Sequence, residues 1–195
     1  MEVQLPKYLL LIILLFGISP AALGQTVAAD NPEMAMIFQA DQEVRKSFSS
    51  KSANRQDLIM RMITEDKSRQ TRTAALLAEG ALKTANDLYR AAFIYQHGDE
   101  PASYLMAHTL AVAAATRGHE RAGWIAAATL DRHLQAIGQP QIYGTQTSTV
   151  SGQEPTDEPY DRDLVPDNLR AALGVPSRAV QDDRSKQRRA KEAKE

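Results

Sequence analysis

Gly80, Gly98, Gly118 and Gly138 punctuate the middle of this chain, the last three at equal intervals of 20 residues. Each follows a segment whose apolar residues recur at helical spacing, which is where a left-handed C-terminal cap favours a residue without a Cβ. A chain cut this way forms successive helices joined by short turns, and no segment reads as a strand. The expected fold class is therefore all-α, with antiparallel helical hairpins assembled into a bundle or a short solenoid.

Start signals sharpen the boundaries. Asn31 as N-cap and Pro32 at the first helical position open a helix expected to run to about Phe48, with Met34, Ile37, Phe38, Val44 and Phe48 on one stripe. A second is expected from near Asn54 to Leu77, with Leu58, Ile59, Met62, Ile63 and Leu76 on its apolar side. A third begins at Thr84, where the hydroxyl and Asp87 three residues on make a capping box, and it ends at His97-Gly98. The fourth, over 101–117, and the fifth, over 120–137, are alanine-rich. Small side chains let helix axes approach, so these two are expected to form a tight antiparallel hairpin. A polar excursion follows Gln146, and then a short helix over 166–173 closed by Gly174 and Pro176.

The ends differ from this middle. Lys7, the apolar run 8–16, Pro20 and the small-residue exit Ala21-Ala22-Leu23-Gly24 have the order of a secretory signal cleaved after Gly24. The expected organisation is a signal at 1–24, a short linker at 25–30, one helical domain at 31–176 and a charged tail at 177–195, disordered or a solvated helix. The expected location is the periplasm or the exterior, with no stable membrane span after cleavage. An uncleaved N-terminal anchor is the alternative, although the apolar run is short of the roughly 20 residues a spanning helix needs. No cysteine is present, which removes disulfides, thiolate metal sites and cysteine nucleophiles. A formal net charge of −1 gives no basic face for phosphate backbones, so no nucleic-acid partner is expected.

Gln139-Pro140-Gln141-Ile142-Tyr143-Gly144-Thr145-Gln146 is the segment richest in directional hydrogen-bonding groups, and such loops are either binding surfaces or pieces of architecture. Asp131 lies upstream on a small-residue helix surface. Arg132 points to the neighbouring stripe, so the two are separate tethers rather than one ion pair. Asp131 or Arg132 is expected to fix the 141–146 loop, with Tyr143 packing its ring and offering its hydroxyl. Asp41 and Asp66 sit on core-facing stripes, with Arg45 and Arg69 in helical reach. They form either buried structural pairs or an acidic site facing the loop. Gln96 and His97 end the third helix, where the imidazole is expected to cap it, His108 lies in or at the edge of the hairpin, and His119, at the start of the fifth helix, is expected to be exposed. The candidate ligand or loop-anchoring residues are thus Asp41, Arg45, Asp66, Gln96, His97, His108, Asp131, Arg132, Gln141, Tyr143, Thr145 and Gln146. The four histidines lack His-x-x-x-His and Glu-x-x-His spacing, so no metal and no other cofactor is expected. Nucleophile elbows, phosphate-cradling loops and dinucleotide fingerprints are also missing.

Taken jointly, Ala91-Ala92-Phe93-Ile94-Tyr95-Gln96-His97-Gly98, Leu130-Asp131-Arg132 and the Gln141 to Gln146 loop resemble a bacterial domain family of unknown function that pairs a Gln-His step with Asp-Arg and a Gln-x-Tyr-Gly-Thr-Gln loop. The likeness spans roughly Asp41 to Pro176, including Leu173-Gly174-Val175-Pro176; it implies a mostly helical fold and brings no activity or cofactor. The stretch from Asp87 to Ile137 more loosely resembles tetratricopeptide or Sel1-type repeats, which implies a tetratricopeptide-like arrangement of the hairpins. Function is expected to be that of an exported module binding a protein or peptide partner, with a polar loop site at 139–146. The alternative is a small-molecule-binding or hydrolase-like protein in which Gln96, His97, His108, Asp131, Arg132, Tyr143 and Gln146 converge on one pocket.

Overall fold

The structure, a computed structural model, describes residues 28–48, 55–148 and 153–192. The expected signal at 1–24 and the start of the linker lie outside the described residues. Within them the fold is all-α: α1 (Pro32–Phe48), α2 (Arg55–Ala78), α3 (Ala85–Tyr95), α4 (Pro101–Thr116), α5 (Ala122–Ala136), α6 (Asp167–Ala172) and α7 (Arg178–Glu192). Two isolated bridges, Gln141 with Tyr160 and Ser148 with Thr156, are the nearest approach to a sheet among the described residues.

The caps form as the local sequence dictates. Asn31 Oδ1 accepts the Met34 amide at 3.0 Å, and Thr84 and Asp87 complete the capping box of α3. Asp87 does more than cap. Fully buried, it also accepts the amides of Lys83 at 3.0 Å and Asn31 at 2.8 Å, so one carboxylate holds the starts of α1 and α3 together. Asp30, expected to be linker, accepts from Thr84, Asn86 and Arg90 and is part of the domain. Gly80, Gly118 and Gly138 take φ values of 65°, 88° and 74° at the helix ends. Gly98 is outside that left-handed region; it is small because a Cβ there would lie 2.5 Å from Ser103 Cβ, where the α3–α4 turn folds onto the next helix.

α3 is central, packing on α1, α2 and α4, and α4 packs most extensively on α5. Antiparallel pairing of α1 with α2 follows from Glu33 meeting Arg72 while Arg45 meets Asp66. Leu88, Ile94, Leu110 and Ile125 fill the core with Met34 and Leu76, and Ala91, Ala92, Ala111, Ala114, Ala122 and Ala126 set the close spacing of α3, α4 and α5. Each fully buried aliphatic side chain contributes about 1.5–3 kcal/mol. Phe38, Tyr89 and Phe93 meet edge to face at one flank.

Three expectations need correction. The Met62-Ile63 portion of the α2 stripe does not enter the core: Ile63 is 54% exposed, and α2 is buried chiefly at its C-terminal half through Arg69, Thr73 and Leu76. His119 is half-buried rather than exposed, its ring stacked on Tyr89 with centroids 3.8 Å apart. The segment 177–195 takes the helical alternative where it is described, but α7 is not merely solvated: it docks through polar pairs instead of an apolar face. Gln181 donates to the carbonyls of Tyr143 and Gly144, Arg162 pairs with Asp182, and Ser185 and Arg188 bind Asp157.

Burial, and secondarily Arg121, hold the His119 imidazole below its ordinary pKa of 6.5. The unfolded chain therefore binds a proton at a higher pH than the native one, so stability is lost as pH falls through about 6.5. His119→Phe keeps a stacking ring and removes that titration. Its unfolding midpoint should fall less between pH 7.5 and 5.5 than that of the parent, and parallel pH profiles would contradict this assignment.

Candidate functional site

Asp131 is fully buried on the inner face of α5, at a surface that Ala127 and Ala128 keep low. Its Oδ1 accepts the amides of Ile142 and Tyr143 at 2.8 and 3.0 Å, and its Oδ2 accepts the Thr145 amide at 3.0 Å and the Thr145 hydroxyl at 2.7 Å. Four donors converging on one carboxylate stabilise its charge, each bond contributing about 1.5–3 kcal/mol, and the nearby Arg170 guanidinium acts in the same direction. Arg132 engages different partners, as its stripe requires: Nε donates to Gln146 Oε1 at 2.9 Å and NH1 to the Gln96 carbonyl at 2.9 Å. Burial pushes the Arg132 guanidinium below its ordinary pKa, and nearby Arg45 adds to the shift.

The loop is also closed on itself. The Gln141 side chain, fully buried, accepts the Gln146 amide at 3.0 Å and donates to the Gln146 carbonyl at 2.9 Å, so a side-chain amide serves as the missing strand neighbour. Gln146 Nε2 donates to the Ala128 carbonyl at 3.1 Å. Gly144 has φ 65°, and a Cβ there would meet the Tyr160 ring at 2.7 Å; turn geometry and close approach both demand glycine. Tyr143 acts through its backbone, its carbonyl accepting from Arg170 at 2.6 Å and Gln181 at 2.8 Å. Burial, followed by the Asp131 charge, raises its phenol above the ordinary 10.

A second cluster lies where α1, α2 and the end of α3 meet. Arg45 is its hub: NH1 donates to Asp41 Oδ1 at 2.6 Å, NH2 to both Asp66 oxygens at 3.0 and 2.9 Å, and Nε to His97 Nε2 at 3.0 Å. An arginine Nε can only donate, so His97 Nε2 accepts, and the ring proton sits on Nδ1, 3.1 Å from Asp41 Oδ1. Arg69 adds a 2.8 Å bond to Asp66. Ligand atoms of Asp41, Asp66 and His97 lie within 4.8 Å of one another, a spacing that a metal ion could use. The Arg45 guanidinium, however, bonds all three residues and supplies the positive charge there. His97 is therefore not a helix cap but a cross-brace to α1. The adjacent Gln96 and His97 link the clusters, one through its carbonyl to Arg132 and the other through its ring to Arg45.

His108 joins neither cluster. Its Nδ1 donates to the Ala126 carbonyl at 2.8 Å, strapping α4 to α5, so the expected convergence of all seven polar residues on one pocket does not occur. Beside the Arg45 cluster, Ile63, Lys67, Gln70, Asp99, Glu100 and Ser103 line a cleft of about 380 Å³ whose inner edge is Asp66 and His97. Gln70 donates to Ser103 Oγ at 2.9 Å.

Sequence reasoning missed Arg170 as an anchor, although it is fully buried, bonds the Tyr143 and Val165 carbonyls and lies 5.6 Å from the centroid of the Tyr160 ring. An isolated arginine in Leu169-Arg170-Ala171-Ala172 was the available signal. Gln181, which binds the loop from α7, had none, being one polar residue in a charged run.

No family model, curated protein or solved structure matches this chain. Among the described residues no helix is long and apolar enough to cross a membrane.

Proposed function

We propose that this chain is a non-catalytic, exported helical module that binds a protein or peptide partner, with the cleft between α2 and the α3–α4 turn as the seat. The observation that carries the reading is the state of His97. Both ring nitrogens are engaged, one by Asp41 and the other by an arginine hydrogen, so the only imidazole lining the cleft has no lone pair with which to activate Ser103 or a water. The remaining carboxylates of the cluster are occupied by guanidinium groups in the same way. Hydrolase-like chemistry is correspondingly disfavoured, and the 141–146 loop serves as architecture rather than as the binding face. The cleft itself combines half-exposed Ile63 on one wall with exposed Asp99 and Glu100 on the other, a pairing suited to an extended peptide presenting an apolar and a basic side chain. Export rests on the composition of residues 1–24, and kinship with the bacterial family rests on its motifs.

The test is a photo-crosslinking residue placed at Ile63 in the full chain in cells. A discrete adduct is expected that disappears with Asp99→Lys and is not formed from a crosslinker at Leu169, which is equally exposed. Adducts that ignore both changes would contradict the reading.

A further inference from the structure

One hydrogen bond crosses the cleft between α2 and α4, and it uses only half of what its two side chains offer. Gln70 Nε2 donates to Ser103 Oγ at 2.9 Å. The pair rests on Gly98, where a Cβ would lie 2.6 Å from Ser103 Oγ and 2.8 Å from Gln70 Nε2, so the turn does without a side chain in order to seat it. Both residues are half-buried and both line the cleft. With that bond made, Gln70 keeps its side-chain carbonyl oxygen as an acceptor and Ser103 keeps its hydroxyl hydrogen as a donor. Among the described residues neither group has a partner.

A residue in an extended chain presents its own N–H and C=O along one edge, and an acceptor beside a donor satisfies both. This protein already contains that arrangement in filled form. Gln141 Oε1 accepts the Gln146 amide and Gln141 Nε2 donates to the Gln146 carbonyl, so a side chain holds both main-chain groups of one residue as a neighbouring strand would. We propose that Gln70 and Ser103 together form a main-chain clamp of the same kind, left open for the partner: Gln70 Oε1 accepts an N–H, and the Ser103 hydroxyl donates to the C=O of the same residue. The inference rests on the cleft being the seat and specifies what is gripped there. The partner segment is extended, because a helix has already used its interior N–H groups on itself. Consecutive side chains of an extended segment point to opposite sides, so one meets Ile63 and the next meets Asp99 and Glu100. Lys67, four residues from Ile63 on α2, directs a basic side chain away from that wall and toward the acidic one. The recognised unit is an apolar residue next to a basic one, and the clamped residue is not proline, which lacks the N–H.

The test titrates acetyl-Ala-Leu-Lys-Ala-amide, and two copies of it N-methylated at the leucine or at the lysine, into the full chain as isolated from cells, followed by amide NMR. The unmethylated peptide should bind with a Kd on the order of 1 mM and shift the amides of Gln70, Gly98 and Ser103. Alternate N–H groups of an extended segment face opposite edges, so one methylation should weaken binding by about 10-fold and the other by less than about 3-fold. Gln70→Met, close in volume, removes the acceptor. It should weaken the unmethylated peptide by about 5- to 10-fold and leave the sensitive methylated peptide within about 2-fold, since that peptide has no N–H to lose. Equal effects of the two methylations, or a Gln70→Met loss that persists in full with the sensitive peptide, would overturn the clamp while leaving the seat in place. Asp99→Lys separates the two readings: binding indifferent to it, with the methylation pattern intact, supports the clamp and overturns the acidic wall. No shift around the cleft at about 10 mM peptide would overturn both.

Discussion

Asp131→Asn is expected to lower the melting temperature by about 6–12 °C, far more than a change of one atom would cost at the surface. The carboxylate faces four donors and donates nothing. An amide in its place must turn its NH2 either toward the Ile142 and Tyr143 amides or toward Thr145, leaving at least one buried backbone N–H facing another donor. An unsatisfied buried donor of this kind and the lost charge assistance together cost about 2–4 kcal/mol. For a domain of this size each kcal/mol shifts the midpoint by roughly 2–4 °C. Asp131→Ala should lose more, since it orphans every donor. A thermal melt followed by circular dichroism checks both, and a shift below about 2 °C for the asparagine variant would contradict the assigned role.

Arg45→Met is the second large effect. It removes the one side chain that bonds Asp41, Asp66 and His97 together, and Asp41 is fully buried. Breaking a buried ion network by deleting its cation typically costs about 3–5 kcal/mol, because the remaining charge is left uncompensated. Arg69, 2.8 Å from Asp66 and 3.7 Å from Asp41, recovers part of this, which sets the expectation near 3 kcal/mol. Adding Asp41→Asn to Arg45→Met should return at least about 1 kcal/mol, a coupling that independent sites do not show. Denaturant unfolding of the two single variants and the double variant gives the number. Strict additivity would mean that Asp41 draws its compensation from elsewhere.

Local signals made the helices legible. Asn31-Pro32 and Thr84 with Asp87 are complete instructions within four residues, and the ends of α1, α3, α4 and α5 fall within two residues of where those instructions put them. The tethering of the loop by Asp131 was also readable, because a carboxylate on an alanine surface must find donors and the donor-rich segment begins eight residues later. What could not be read were pairs made across long separations. His97 was read as a cap because a cap is the only partner its own helix offers, whereas its partner Asp41 is 56 residues away. With nothing apolar to bury, α7 reads from its sequence as a disordered or solvated helical tail, but Gln181, Ser185 and Arg188 dock it on groups already fixed by the loop. The same polar segment that looked like a binding surface is thus the floor on which the C-terminal helix stands.

Amide hydrogen exchange of Ile142, Tyr143 and Thr145 in the unmodified protein tests most directly whether this loop belongs to the folded interior. If Asp131 holds those three amides as described, they should exchange at least about 100-fold more slowly than an unstructured peptide, through openings shared with α5. Exchange at the unprotected rate, with α5 itself protected, would contradict the account.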